Sequence, residues 1–386
     1  MKINKITYVG WLGYGNLGDE ALFEANKKVF HQYELSPSLD HPLSRITLFG
    51  GGTLLPHWGL TVLPNRYNYA YGLGVRNPIF WGNYHQFVID LVKRFCFRYI
   101  GVRDNRSHRL LKEWGINSEV IGDPCLLLKP KSGIRRKEDL IGLNFCATDG
   151  SLWGHDDKRV MQEAIELCRH IKSKGYNAVL IPFSKSDIEY VTRISKLSGA
   201  DIFEEWMDIQ EVIDFIGSCS VCIGERLHSI VLSASAYTPF ISLEYRPKCR
   251  AFSELMGFSG YTIRTDEMSS RRVIDLFDEL LLNWDRMQSN LVANVEVYRE
   301  KLGEAATKIT SDIESLPDDK WSHPSLFQNR MRRILYGTDI YFYNHVNGVW
   351  QAWYRTPAKR PVEHLWEFLR RRSMGTSYGP HKEPYR

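Results

Sequence analysis

The sequence predicts two parallel-sheet α/β domains that face each other across a cleft and are followed by a mainly helical extension. Three observations carry this. Short apolar runs alternate with amphipathic segments from residue 6 to residue 243, the pattern of strands and crossover helices in parallel sheets. A polar, basic stretch centred on Lys129-Pro130-Lys131-Ser132-Gly133 interrupts that alternation once and reads as a linker. Past residue 290 the strand pattern stops and helical spacing takes over. The expected divisions are 1–128, a linker over 129–139, 140–290 and 291–386.

Taken in order, Ile6–Val9 is a first strand, and a glycine-rich turn leads to a helix from Asp19 to Phe30. Arg45–Phe49 is a second strand, running into Gly50-Gly51-Gly52-Thr53. Phe87–Phe97 has helical period and Tyr99–Val102 reads as a strand. Asp104 is placed to cap a helix reaching Glu113. Glu119–Ile121 then leads to Gly122-Asp123-Pro124. After the linker come strands Ile141–Phe145, Ala178–Pro182, Val221–Ile223 and Phe240–Leu243. Between them lie helices Lys158–Lys174, Asp187–Leu197, Ile209–Ile216 and Leu227–Ala236. Arg272–Leu282 and Leu291–Ile313 are helical in period. Two such domains create a crevice between the carboxyl ends of their strands, where ligands bind.

A chain of 386 residues, 43% of them hydrophobic, can bury ordinary cores. No apolar stretch approaches membrane-spanning length, and the polar start Met1-Lys2-Ile3-Asn4-Lys5 lacks a secretory signal's apolar centre, so a cytoplasmic location is expected. Seven cysteines scattered through apolar contexts argue for reduced thiols. Cys219 and Cys222 are placed in a strand, where residues three apart face opposite sides, which argues against a metal or redox pair. The net charge of +5 is carried by the tail: from Trp321 onward eleven Lys/Arg stand against four Asp/Glu. That tail holds four of the eleven tryptophans, and Val362, Leu365, Trp366 and Leu369 recur at helical spacing before Arg370-Arg371-Arg372. An amphipathic basic helix of this kind suits an anionic membrane surface, or packs on the body or on a second subunit of a homo-oligomer. No RNA- or DNA-binding signature accompanies it, so nucleic acid is not an expected partner.

The run Gly224-Glu225-Arg226-Leu227-His228 stands where a strand turns into a helix. A helix start offers unpaired N–H groups and positive dipole, Arg226 a planar fork, and His228 a proton-exchanging ring. Positions 226 and 228 diverge by about 200° in a regular helix, so one must lie outside it if both face a ligand. Gly10-Trp11-Leu12-Gly13-Tyr14-Gly15-Asn16-Leu17-Gly18-Asp19 follows the first strand. It reads equally as a structural turn capped by Asp19 and as a ligand loop; Asp19 would repel a pyrophosphate there. Three consecutive glycines at Gly50–Gly52 favour a ligand or close packing. There is no phosphate-loop lysine motif, HExxH helix or EF-hand loop.

Gly15-Asn16-x-Gly18-Asp19, Gly50-Gly51-Gly52-Thr53, Gly101-Val102-Arg103-Asp104, Gly122-Asp123-Pro124, Arg226-Leu227-His228 and Tyr245-x-x-Lys248, in that order, resemble the polysaccharide pyruvyltransferase family over residues 6 to 260. The resemblance implies a GT-B-like pair of Rossmann-like domains and phosphoenolpyruvate as donor substrate; no cofactor is expected, and no metal-ligand cluster stands out in the sequence. It implies transfer of pyruvate as a ketal across two sugar hydroxyls of a polysaccharide or lipid-linked precursor. Arg226 matches the family's donor-binding arginine, aided by the Leu227 N–H, with His228 as the acid–base group. The first domain's Arg103 is the expected second anion anchor; an ion pair with Asp104 or Glu113 is the alternative. Lys248 adds positive charge or is a solvated lysine. Glu225 is a carboxylate base or a helix cap. Gly15, Asn16, Asp19, Gly51, Gly52 and Thr53 are candidate acceptor contacts. Two other functions stay open: a GT-B glycosyltransferase with a nucleotide-sugar donor, and a noncatalytic polysaccharide-assembly factor.

Overall fold

The structure is a computed structural model that describes residues 5–37, 44–55, 67–76, 89, 92–93 and 97–317. The first sheet contains β1 (Lys5–Val9), β2 (Glu34–Pro37), β3 (Ile46–Phe49), β4 (Gly52–Leu55), β5 (Tyr67–Val75), β6 (Phe97–Val102) and β7 (Glu119–Val120). All its pairings are parallel, in the order β2-β1-β3-β5-β6-β7, with β4 paired to β5. The order reverses between β1 and β3, so the two glycine-rich loops leave neighbouring strand ends at a topological switch point, where open α/β sheets place their ligands.

The second sheet contains β8 (Leu140–Asn144), β9 (Asn177–Leu180), β10 (Asp201–Ile202), β11 (Val221–Gly224), β12 (Phe240–Glu244) and β13 (Thr262–Arg264). It is also wholly parallel, in the order β10-β9-β8-β11-β12-β13, the dinucleotide-fold order 3-2-1-4-5-6. Its switch point lies between β8 and β11, and the run 224–228 leaves β11 there. The two-domain parallel α/β architecture expected from the sequence is therefore present.

Nine α-helices are described: α1 (Leu17–Val29), α2 (Asn105–Glu113), α3 (Asp157–Ser173), α4 (Ile188–Ser198), α5 (Ile209–Ser218), α6 (Leu227–Ser235), α7 (Pro247–Met256), α8 (Ser270–Leu282) and α9 (Trp284–Glu314). Asp104 caps α2 by accepting the Ser107 N–H at 2.7 Å, as its position predicts. The cap of α1 is Asn16, which accepts the Gly18 N–H at 3.0 Å; Asp19 stands in the first turn and does not cap. The short strands β2, β4 and β10, the nine-residue β5, α7 and β13 were not expected from the sequence; β4 begins at Gly52, inside the expected glycine loop. The expected helix over Phe87–Phe97 and the tail helix over 362–372 lie outside the described residues, apart from Ile89, Val92, Lys93 and Phe97.

Residues 129–139 contain no helix or strand and are docked on α5. The Lys131 N–H donates to Asp214 at 2.7 Å, and its ammonium reaches Glu211 at 2.8 Å. The long helix α9 runs straight through residue 290 and ties the sheets together. At its start Trp284 donates to the Ser220 carbonyl of the second domain; further on, Tyr71 and Tyr69 of β5 donate to Leu302 O and Asp312. The buried guanidinium of Arg299 donates through Nε to the carbonyl of Leu126 on one side and through Nη2 to that of Ser235 of α6 on the other. One continuous apolar core consequently runs from Ile6 through both domains to Ile313, with a smaller cluster on the far face of the first sheet.

The six described cysteines are buried and free, in line with reduced thiols. The expectation that Cys219 and Cys222 face opposite ways does not hold. Cys219 caps the end of α5, outside β11, and both sulfurs sit over Gly142. Among the described residues, no helix is long and apolar enough to cross a membrane.

Candidate active site

The domains meet by main-chain pairing. The Leu17 N–H donates to Phe183 O and the Lys185 N–H to Gly15 O, both at 2.9 Å, making an antiparallel bridge between Asn16 and Ser184. Beside this seam lies a cavity of about 260 Å³ lined by Trp11, Asn16, Asp19, Gly52, Thr53, Leu54, Arg76, Arg103, His228 and Lys248. An adjoining hollow of about 110 Å³ shares Thr53, Arg76 and Lys248 and adds Arg106 and Arg246. Both switch points thus open onto one strongly cationic space, suited to a small multiply charged anion.

Arg103 leaves the end of β6 and is almost fully buried. Its Nε pairs with Asp104 at 3.3 Å while Nη2 reaches the Thr53 hydroxyl at 3.4 Å. The ion pair and the cavity-lining position coexist, because only Nε faces Asp104. Room for the guanidinium comes from Gly74, where a Cβ would lie 2.8 Å from Arg103 Cζ.

Lys248 enters from the first turn of α7, 4.9 Å above the Tyr245 ring, and no carboxylate pairs with it among the described residues. Burial, with Arg246 next, brings its ammonium down to about 7. Asp19, from α1, is pushed up to about 7 by burial; Lys248, Arg103 and Arg226 oppose the rise. The cavity therefore contains a carboxyl and an amine that both titrate near neutrality, the displacement expected of proton-handling sites.

His228 stands in the first turn of α6, and its imidazole passes into the first domain. It packs against Gly18 so closely that a Cβ there would lie 2.0 Å from Nδ1. Burial and the charges of Arg103, Lys248 and Arg226 hold it well below the usual imidazole range, so the ring is neutral at pH 7. Asp123, Cys125 and His228 present donor atoms within 4.8 Å of one another, a metal-compatible grouping that the sequence spacing did not disclose. The three cationic side chains around the imidazole oppose a cation at that point.

Arg226 is the helix cap residue, extended at φ −70° and ψ 139°, so it does lie outside the helix as the angular argument requires. Its side chain leaves the cavity lining. Nε and Nη2 grip the fully buried Asp187 as a bidentate pair, and Nη2 also reaches Ser186. Leu227 is buried at the start of α6. Glu225 is fully buried; it caps nothing and does not line the cavity. One oxygen accepts the Cys146 N–H at 2.9 Å and the other has no partner, and burial pushes the carboxyl up to about 8. Gly15 packs on Lys185 and Gly51 on Leu22, both with positive φ, so they shape the loops rather than face the cavity. The structure therefore gathers Asn16, Asp19, Gly52, Thr53, Arg103, His228 and Lys248, and sets Gly15, Gly51, Glu225, Arg226 and Leu227 behind them. Trp11, Arg76 and Asp187 were missed; no local spacing marks them.

Comparison with solved structures gives distant likenesses that extend over most of the chain. The Staphylococcus aureus MnaA–UDP complex is 13% identical with TM-score 0.58, covering 83% of this chain and 99% of that one. A putative UDP-N-acetylglucosamine 2-epimerase from Listeria monocytogenes is 12% identical with TM-score 0.53, covering 82% and 96%. The Neisseria meningitidis UDP-GlcNAc 2-epimerase bound to UDP-GlcNAc is 10% identical with TM-score 0.53, covering 81% and 99%. At these identities they establish the GT-B-type two-domain fold and nothing about the ligand. No curated protein sequence matches the chain. A family model described as polysaccharide pyruvyl transferase matches residues 16–247, a span that begins at the Asn16 cap and ends one residue before Lys248. By that match, over more than half its length, this chain belongs to the polysaccharide pyruvyl transferase family.

Proposed function

We propose that the protein transfers pyruvate from phosphoenolpyruvate onto two hydroxyls of one sugar in a polysaccharide or its lipid-linked precursor, releasing phosphate. The observation that carries this reading is the convergence of Arg103, Lys248, His228 and Asp19 on one cavity of about 260 Å³. Arg103 and Lys248 take the phosphate and carboxylate of the donor, with Arg226 adding fixed positive charge from behind.

Chemically, Asp19 in its protonated form gives a proton to the methylene carbon, and positive charge develops at C2. A sugar hydroxyl adds there and its proton passes to the neutral His228 imidazole. The C2–O bond to phosphate then breaks, and the second hydroxyl closes the ketal. Of the two hydroxyl protons, one replaces that delivered to carbon and the other leaves with hydrogen phosphate, so atoms and charge balance.

The test is incubation of the full chain with phosphoenolpyruvate and a panel of glycans, following phosphate release and ketal formation together. Thermal-shift measurements with phosphoenolpyruvate and with nucleotide sugars test the donor separately, since the ligand bound by the folded state raises its midpoint. Stabilisation by nucleotide sugars alone, with no ketal on any glycan, would overturn the proposal.

A further inference from the structure

Two sealed polar atoms face each other across the domain seam without a hydrogen-bond partner: Nε2 of His228 and Oδ2 of Asp123, 3.8 Å apart. The carboxylate is fully buried and held from both sides. Its other oxygen, Oδ1, accepts the Cys125 N–H at 3.0 Å, which starts the short 3-10 turn Pro124–Leu127. Gly122, at φ +94°, turns the chain into that position, and Pro124 wedges against Gly72 of β5. On the opposite side of the ring, Gly18 confines Nδ1. The imidazole of the second domain is thus clasped between two backbone-anchored positions of the first.

Leaving a donor and an acceptor buried together unpaired is unfavourable, and a movement of under ~1 Å would join them. We propose that Asp123 is the positioning residue for His228: it accepts the Nε2–H, fixes the neutral ring in that tautomer, and leaves the Nδ1 lone pair on the side of α1 and Asp19. The assignment extends the pyruvyl-transfer reading of the site, in which His228 takes the hydroxyl proton. It makes Nδ1 the receiving atom. It also explains why an acidic residue stands between Gly122 and Pro124, a motif for which the chemistry above has no other use.

The decisive variant is Asp123→Asn. The Cys125 N–H must keep an oxygen partner, so the amide nitrogen takes the place of Oδ2 and can only donate to Nε2. The tautomer then inverts to Nδ1–H. Long-range ¹H–¹⁵N NMR of full-length protein with ¹⁵N-histidine, the His228 signal being identified by its loss in His228→Gln, reads this directly at pH 8. The expected result is a protonated Nε2 in the wild type and a protonated Nδ1 in Asp123→Asn, with turnover down at least about 100-fold and phosphoenolpyruvate KM within about threefold. An unchanged tautomer in the variant overturns the assignment. So does a stoichiometric metal ion in the purified wild type, which would make Asp123 and His228 its ligands. If Asp123→Asn does not fold, a wild-type ring protonated on Nδ1 overturns it equally. Absence of ketal formation by the wild type would count against the transfer reaction alone, since the NMR readout needs no substrate.

Discussion

Arg226 and Asp187 form a closed bidentate pair, with Nε at 2.6 Å from Oδ2 and Nη2 on Oδ1, joining the start of α6 to the start of α4. The arginine is 17% exposed at its side chain and the aspartate is sealed. Removing the guanidinium strands a buried carboxylate, which costs about 3–5 kcal/mol. Arg226→Ala is therefore expected to lower the urea midpoint, and adding Asp187→Asn to recover part of the loss. A single variant as stable as wild type would show that the pair is not formed.

Asp19 and Lys248 predict opposite pH trends in stability. A lysine titrating near 7 is uncharged when folded and charged when unfolded between pH 7 and about 10. It therefore burdens the fold progressively as pH falls through that window, and fully below it. Lys248→Met should stabilise the protein by on the order of a few kcal/mol at pH 6 and by little near pH 10. Asp19, raised to about 7, burdens the fold above pH 7 and not below about pH 4. Asp19→Asn should stabilise at pH 8 and be neutral near pH 4. Urea midpoints across pH check both; parallel trends for the two variants would contradict these protonation assignments.

Lys248→Met should also weaken phosphoenolpyruvate binding at least about 10-fold at pH 6, where the wild-type ammonium is charged. The wild type should lose affinity as pH rises through 7, beyond what the donor's own ionisation explains. Calorimetric titration at pH 6 and pH 8 measures this.

Gly18→Ala tests the clasp around His228 from its other side. The new methyl would overlap the ring at Nδ1, and the ring is held behind by Asp123. Turnover should fall at least about 10-fold while α1 stays helical, alanine being a better helix former than glycine. Circular dichroism together with the ketal assay separates the two effects. Full activity in this variant would mean that His228 can leave the position observed.

Arg299→Met tests the strap between the domains. It removes the donors that Leu126 O and Ser235 O share, leaving buried carbonyls unpaired at about 1–3 kcal/mol each. The thermal midpoint should fall by several degrees. An unchanged midpoint would show that α9 contributes little through this residue.

The second domain was legible because β8, β9, β11 and β12 are built from aliphatic runs, the residues that double-sided burial selects. The strand β5 was not. Its sequence, Tyr67-Asn68-Tyr69-Ala70-Tyr71-Gly72-Leu73-Gly74-Val75, is wholly buried yet reads as aromatic and glycine-rich, the hydroxyls of Tyr69 and Tyr71 being satisfied by partners on α9. Likewise α7 carries Lys248, Arg250 and Glu254 on a helix otherwise packed in the core, which obscures its period. At the site, strand ends and glycine loops pointed to Arg103, His228 and Asp19, and the family motif Tyr245-x-x-Lys248 to Lys248, which otherwise reads as a solvated lysine. Which way Arg226 turns was not legible, because its partner comes from another strand end and pairing between distant segments leaves no local pattern. The same holds for Asp123, whose meaning emerges only when β7 and α6 are brought together.

The backbone bridge of Gly15–Leu17 to Phe183–Lys185 has a protective corollary. Parting the lobes to admit solvent would draw the imidazole away from Gly18 and Asp123 and carry Lys248 off from Asp19. A gaping conformer is thus a disarmed one: on the proposed reaction, water arriving then would find no assembled proton relay, and an energy-rich enol phosphate would be spared wasteful hydrolysis.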